Sequence, residues 1–212
     1  MRWWNPFSSP SVEEPVKLLR RVRLPLPGWS ESPQSKDIRL WLNSDREAIT
    51  LTVNTHSYPW FERGEESEIR NWTREFAQGV SGGLIEAHTK HGETSFIFKQ
   101  LQMPAYLYTG TLVMQVLGMW VIWSTTACEL GTTGVREAVV AASLMNEGKL
   151  LPQEYEARWG QDPYDPAYRG VDNSVLRFLS DDDVYDEQFP QHPLSKVRRV
   201  LAALSNHVIY DS

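Results

Sequence analysis

The sequence predicts an α+β fold, a mostly antiparallel sheet with two helices packed against it. Three observations carry this. Residues 100–128, QLQMPAYLYTGTLVMQVLGMWVIWSTTAC, hold no charged side chain, and their apolar members are largely aromatic or β-branched, as strands prefer. Shorter segments around this run alternate apolar and polar residues and are separated by short turns. Two further stretches place apolar residues three or four apart, the helical period.

An uncharged run of this length is first tested as a membrane span, which needs about 20 predominantly apolar residues. Pro104, Gly110 and Gly118 interrupt it, and Gln100, Gln102, Gln115 and several threonines are spread through it. It divides instead into two compact runs, Leu112–Leu117 and Met119–Trp123, with Gly118 between them. These read as adjacent central strands, buried on both faces and joined by a tight turn.

The remaining elements follow in order. Residues 8–15 form a Ser/Pro/Glu-rich linker behind a short arm bearing Trp3, Trp4 and Phe7, expected to pack back onto the domain. Val16–Leu26 alternates and is expected to be a strand with Lys17, Arg21 and Arg23 on its outer face, ending at Pro27-Gly28-Trp29. Asp37–Asn43 and Ala48–Val53 make a hairpin, with Ile38, Leu40 and Leu42 facing in opposite Ile49, Leu51 and Val53. Glu65–Val80 is the clearest helix, its stripe Ile69, Trp72, Phe76 and Val80 preceded by acids in the first turn, where the helix dipole favours them. Leu84–His91 and Thr94–Leu101 pair about Gly92. A second helix spans Val135–Gly148, with Val135, Ala138, Val139, Ala142 and Met145 as its buried stripe. In the tail, Pro152–Asp172 reads as an ordered aromatic loop, and a last helix carries Leu194, Val197, Leu201, Leu204 and Val208. Lys196, Arg198 and Arg199 lie near its start, where the dipole disfavours them, so they are expected to pair with the preceding acids.

A first strand ending in Leu26-Pro27-Gly28-Trp29, two strands, an amphipathic helix, a meander and a further helix resemble the PsbP/DcrB-type α/β sandwich over Val16–Leu150. The resemblance implies a sandwich domain at 16–150, with an arm at 1–15 and a C-terminal extension at 151–212 packed on it. It also implies binding or assembly roles rather than catalysis, since that superfamily includes lipoproteins, photosystem subunits and chaperones for secreted toxins.

Composition narrows the function classes. A net charge of −6 over 212 residues lacks the basic footprint of a nucleic-acid binder. The single Cys128 permits no intramolecular disulfide and no cysteine zinc site, and at the end of an apolar strand it is expected to be buried and inert. With no apolar segment after Arg2, the expected compartment is the cytoplasm. The Gly131–Gly134 turn lacks the spacing of a P-loop and reads as a helix cap.

Three constellations could carry chemistry. Asp181, Asp182, Asp183, Asp186 and Glu187 lack the ligand order and glycine of a calcium loop and read as a solvated acidic helix start. His88 and His91 point to opposite faces of a strand, so they cannot share a metal without a bulge. No G-x-S-x-G accompanies His192, which reads as a helix-entry residue bonded locally. No cofactor or metal is therefore expected. The reading that follows is a cytoplasmic protein-binding module, an immunity protein or adaptor chaperone for a bacterial secreted toxin. Its expected contacts with a basic partner are Trp60, Phe61, Tyr164, Tyr168, Asp181, Asp182, Asp183, Asp186 and Glu187. The alternatives are a small-molecule or lipid-binding sandwich with a pocket at Tyr108, Trp120 or Trp123, and a hydrolase using His192, Asp186 and a free serine.

Overall fold

In chain order the elements are α1 (Glu13–Arg21), β1 (Val22–Arg23), β2 (Ser30–Ser32), β3 (Ile38–Leu42), β4 (Ala48–Asn54), α2 (Glu66–Gly79) and β5 (Gly82–Lys90). They continue with β6 (Glu93–Gln102), β7 (Ala105–Val116), β8 (Met119–Cys128), α3 (Val135–Asn146), α4 (Pro152–Arg158), two 3-10 turns (Leu179–Asp181 and Asp183–Tyr185), α5 (Pro193–His207) and β9 (Ile209–Tyr210). The computed structural model describes residues 13–24, 26–32, 37–45, 47–55, 65–90, 92–102, 105–129, 134–158, 160–168, 175–207 and 209–210. Trp3, Trp4, Phe7, Trp60, Phe61 and His91 lie outside these residues.

The fold is α+β. One seven-stranded sheet runs β2-β3-β4-β8-β7-β6-β5, each neighbouring pair antiparallel, and β1 pairs with β9 in a separate two-stranded ladder. The uncharged run forms its centre as expected. β7 and β8 are joined at Leu117 and Gly118, with φ of 52° and 75°. Two successive positive φ values give the turn whose twist matches paired strands. Among the described residues, no helix is long and apolar enough to cross a membrane.

Each face of the sheet carries its own core. On one, α1 and α5 pack over Ile49, Leu51, Ile97, Leu112, Val121 and Trp123, with Leu18, Val22, Leu194, Val197 and Leu201 buried in the same cluster. The tail thus supplies a layer of the main core through α5. On the other face, α2 lays Trp72 and Phe76 against Phe96 and Phe98, with ring centroids 5.6–5.9 Å apart.

Four local expectations are corrected, the first at residues 152–158, expected to be loop, which form the short helix α4. Residues 16–21 are helical, not a strand. Leu18 and Val22 are four apart and satisfy both periods, while Leu19 is also buried. In β3 the inward residues are Arg39 and Trp41, whereas Ile38 and Leu42 are 39% and 40% exposed on the opposite face. Trp41 lies 5.6 Å from Trp123, and Arg39 reaches Glu31 and the carbonyls of Leu19 and Val22 at the end of α1. Two strong contacts outweigh three leucine-sized side chains. In α3 the inward residues are Arg136, Glu137, Val140 and Ala141; of the stripe expected to be buried, Val135, Ala138, Val139 and Ala142 face solvent and Met145 is half-buried.

Two glycines test the packing in opposite directions. A Cβ on Gly83 would collide with the backbone of Val175, where the tail crosses β5, whereas one on Gly79, the last residue of α2, would meet nothing within 4 Å. Overpacking against backbone costs about 1–3 kcal/mol, while Gly to Ala in a helix gains up to about 1 kcal/mol. Urea unfolding is therefore expected to show Gly83→Ala destabilised and Gly79→Ala unchanged or stabilised.

Candidate functional site

The most concentrated chemistry lies where the tail meets the sheet. Lys99 sits on β6 among apolar residues and points to the α5 face, fully buried. An ammonium there is tolerable only with a partner. Its Nζ donates to Asp181 Oδ2 at 3.0 Å and lies 3.4 Å from the centroid of the Phe178 ring. Asp181 Oδ2 also accepts from Phe178 N at 2.9 Å, so the first 3-10 turn closes on the carboxylate. Burial pulls the Lys99 amine down, opposed by Asp181. Burial pushes the Asp181 carboxyl up, and Lys99 with the Phe178 N–H outweigh it, leaving its pKa below the usual range.

Arg136 of α3 extends the cluster. Its guanidinium donates to Ser180 O (2.7 Å), Asp182 O (3.0 Å), Ser195 Oγ (2.8 Å) and Asp186 Oδ1 (3.0 Å). Glu137 Oε2 accepts from Ser180 N at 2.8 Å. Arg198 of α5 donates to both Glu86 oxygens, to Asp186 and to Asp181 O. Charge-assisted donors on planar forks fix geometry as well as energy. Together these groups clamp residues 178–186 between β5, β6, α3 and α5.

The acidic run therefore divides. Asp181 is buried on Lys99, Asp182 pairs with Arg177 at 3.1 Å, and Asp186 is shared by Arg136, Arg198 and Ser195. Asp183 and Glu187 are exposed, with Val184 beside them 72% exposed. The expected pairing of α5 cations with the preceding acids holds for Arg198. Lys196 instead reaches back to Asp45 and Glu47, and Arg199 donates to Pro190 O.

Tyr164 has a structural task. Its hydroxyl accepts from Ala87 N at 2.8 Å and donates to Ala87 O at 2.9 Å, closing the outer edge of β5, while Arg70 lies 4.0 Å over its ring. A blocked edge discourages strand addition. Asp162 holds this loop, accepting from Arg74 at 2.8 and 2.9 Å and from the amides of Tyr164 and Asp165. Tyr168 lies with its ring 5.0 Å from the Arg74 guanidinium.

The groups of a hydrolase do not assemble into a nucleophile and base. Ser195 Oγ donates to Asp186 and accepts from Arg136, and His192 Nδ1 accepts from Leu194 N at 3.3 Å as α5 begins. Burial and the nearby Arg136 push the His192 pKa down to about 4, so its ring is neutral near pH 7. Burial raises the Glu129 carboxyl, 3.9 Å away. Cys128 is exposed rather than buried, and partial desolvation with the adjacent Glu129 raises its pKa, which disfavours the thiolate. Among the described residues, no group of three His, Cys, Asp or Glu side chains could hold a metal ion.

Of the open clefts that flank α5, two meet at Arg198. One, about 280 Å³, lies between α5 and β5–β6 over Ile97 and Leu112. The other, about 530 Å³, is lined by Asp183, Asp186, Glu187, Pro190, Arg198 and Arg199. They share Arg198 and Ala202. Neither is lined by Tyr108, Trp120 or Trp123, which are buried among other core side chains.

No protein-family model and no curated protein matches the chain. Among solved structures it is similar to the Ran-binding protein Mog1p of Saccharomyces cerevisiae, with 9% identity over 60% of this chain and 78% of that one, at a TM-score of 0.38. A point mutant of Mog1 matches with 11% identity over 61% and 78%, at 0.38. LpqN of Mycobacterium tuberculosis, described as involved in cell envelope biogenesis, matches with 14% identity over 59% and 78%, at 0.32. These are distant likenesses of sandwich architecture and carry no family membership or function.

The buried residues that matter here, Lys99, Arg136, Glu137 and Asp162, were not singled out in the sequence. The available signal was a lone Lys in the apolar stretch Phe96–Leu101 and a lone charged pair in an otherwise uncharged helix. His192 provides the test. The unfolded chain protonates near pH 6.5 and the folded one only near 4, so the unfolded state binds more protons in between and stability falls as pH falls through that window. The shift corresponds to about 3 kcal/mol. Unfolding of wild type and His192→Gln from pH 7 to pH 4 is expected to show the wild type losing that much more.

Proposed function

We propose that this chain is a non-enzymatic protein-binding module that holds a basic segment of another protein in the larger α5 cleft. The observation that carries this is the division of the acidic run. Three of its carboxylates are engaged by the protein's own cations, Asp181 deep in the fold and Asp182 and Asp186 nearer its surface, while Asp183 and Glu187 stay exposed on the rim of the larger cleft, next to the exposed Val184. An apolar side chain between acids offers anchoring and steering at one place. The clamp beneath keeps the rim in one shape, so little ordering is required on binding. The net charge of −6 favours a basic partner.

Within this class the reading is an immunity protein or adaptor chaperone for a bacterial secreted toxin, acting in the cytoplasm. The remaining aromatic contacts of this proposal are Trp60, Phe61, Tyr164 and Tyr168. The hydroxyl of Tyr164 is held by β5 and its ring lies under Arg70, so only the part-exposed edge of the residue is offered to a partner.

The test is capture with cross-linking mass spectrometry in the native host, comparing wild type with Asp183→Asn/Glu187→Gln and with Val184→Ser. One stoichiometric basic partner, cross-linked near residues 183–199 and weakened about tenfold or more by either variant, is expected, with affinity falling as salt rises. A partner bound equally by both variants would sink the cleft assignment. Turnover of a small substrate by the purified chain would sink the non-enzymatic reading.

A further inference from the structure

α3 has the wrong side out. Its two charged residues, Arg136 and Glu137, are 2% and 3% exposed, whereas Val135 and Val139 are 47% and 43% exposed and Ala138 and Ala142 also face solvent. At 100° per residue, Val135, Val139, Ala142 and Asn146 fall on one narrow seam flanked by Ala138 and Ser143. That outer face carries no charge from Val135 to Asn146. A surface helix ordinarily shows the reverse arrangement.

We propose that this seam is the contact between two copies of the chain, with their α3 helices packed antiparallel about a two-fold axis midway between Val139 and Ala142. The sequence of the seam is complementary to itself in that register. Val139 then lies against Ala142 of the second copy, large against small, and Val135 lies against Asn146. Alanine at the centre lets the helix axes approach closely.

Charge points to the same occupant. A chain of net charge −6 repels its own copy over most of its surface, so self-association needs an uncharged face, and the α3 seam is one. A basic partner of the kind drawn to the α5 rim finds no counter-charge on it. The helix is 12 residues long, about 18 Å, which makes a small contact and a weak, reversible dimer rather than an obligate one.

Sedimentation velocity of the full chain over about a hundredfold range of concentration reads this directly. The wild type is expected to shift from monomer toward dimer as concentration rises. Val139→Glu, at a position already 43% exposed and so compatible with folding, is expected to remain monomeric throughout. A second readout fixes the register. In a Cys128→Ser background, chains carrying Val139→Cys and chains carrying Ala142→Cys are mixed and mildly oxidised. The mixed disulfide is expected to form faster than either homodimer. A wild type that is monomeric at every concentration overturns the proposal. So does a dimer unaffected by Val139→Glu, or mixed cysteines that cross-link no faster than each variant alone.

Discussion

The pairing of Lys99 with Asp181 is the constraint on which the tail depends. A fully buried ammonium on an interior strand cannot be left alone, because removing one member of a buried pair costs about 3–5 kcal/mol. Asp181 reaches it only if residues 178–181 close into a turn, and that turn brings the Ser180 backbone to Arg136 and Glu137. Arg198 then closes the arrangement from α5, holding Glu86 and Asp186 at once. Each cation is acceptable inside because the next element brings its acceptor.

This accounts for the surface as much as the interior. α3 turns its charged residues inward because their partners come from the tail, and its uncharged seam is consequently left outside. The acidic run is divided for the same reason. Its members at 181, 182 and 186 are drawn to cations, and those at 183 and 187 stay on the cleft rim. The two proposed contact surfaces are thus by-products of one interior network. Their chemistry differs, acidic at α5 and neutral at α3, so they suit different partners.

The elements governed by local pattern were legible. Leu117-Gly118 between two apolar runs specifies the β7–β8 turn, and the acids before Ile69 and Trp72 specify α2. The faces of β3 and α3 were not. In β3 both parities carry large side chains, and only the distant Trp123 and the α1 carbonyls decide between them. In α3 Val140 and Ala141 are as apolar as Val139 and Ala142, and the decision comes from acceptors 44 to 59 residues further along the chain. The site suffered likewise. Asp183 and Glu187 cannot be told from Asp181 by sequence, since what separates them is a lysine on another strand.

Native-state hydrogen exchange is the most direct test of the central claim that the tail turn and the sheet form one cooperative unit. The amides of Phe178 and Ser180, which donate to Asp181 and Glu137, are compared with those of Phe96–Lys99 in the wild type and in Lys99→Met. The account requires both sets to exchange with the same opening free energy in the wild type, and the tail set to lose protection first and most in the variant. Tail amides that already exchange far more readily than the strand in the wild type, and do not respond to Lys99→Met, would contradict it.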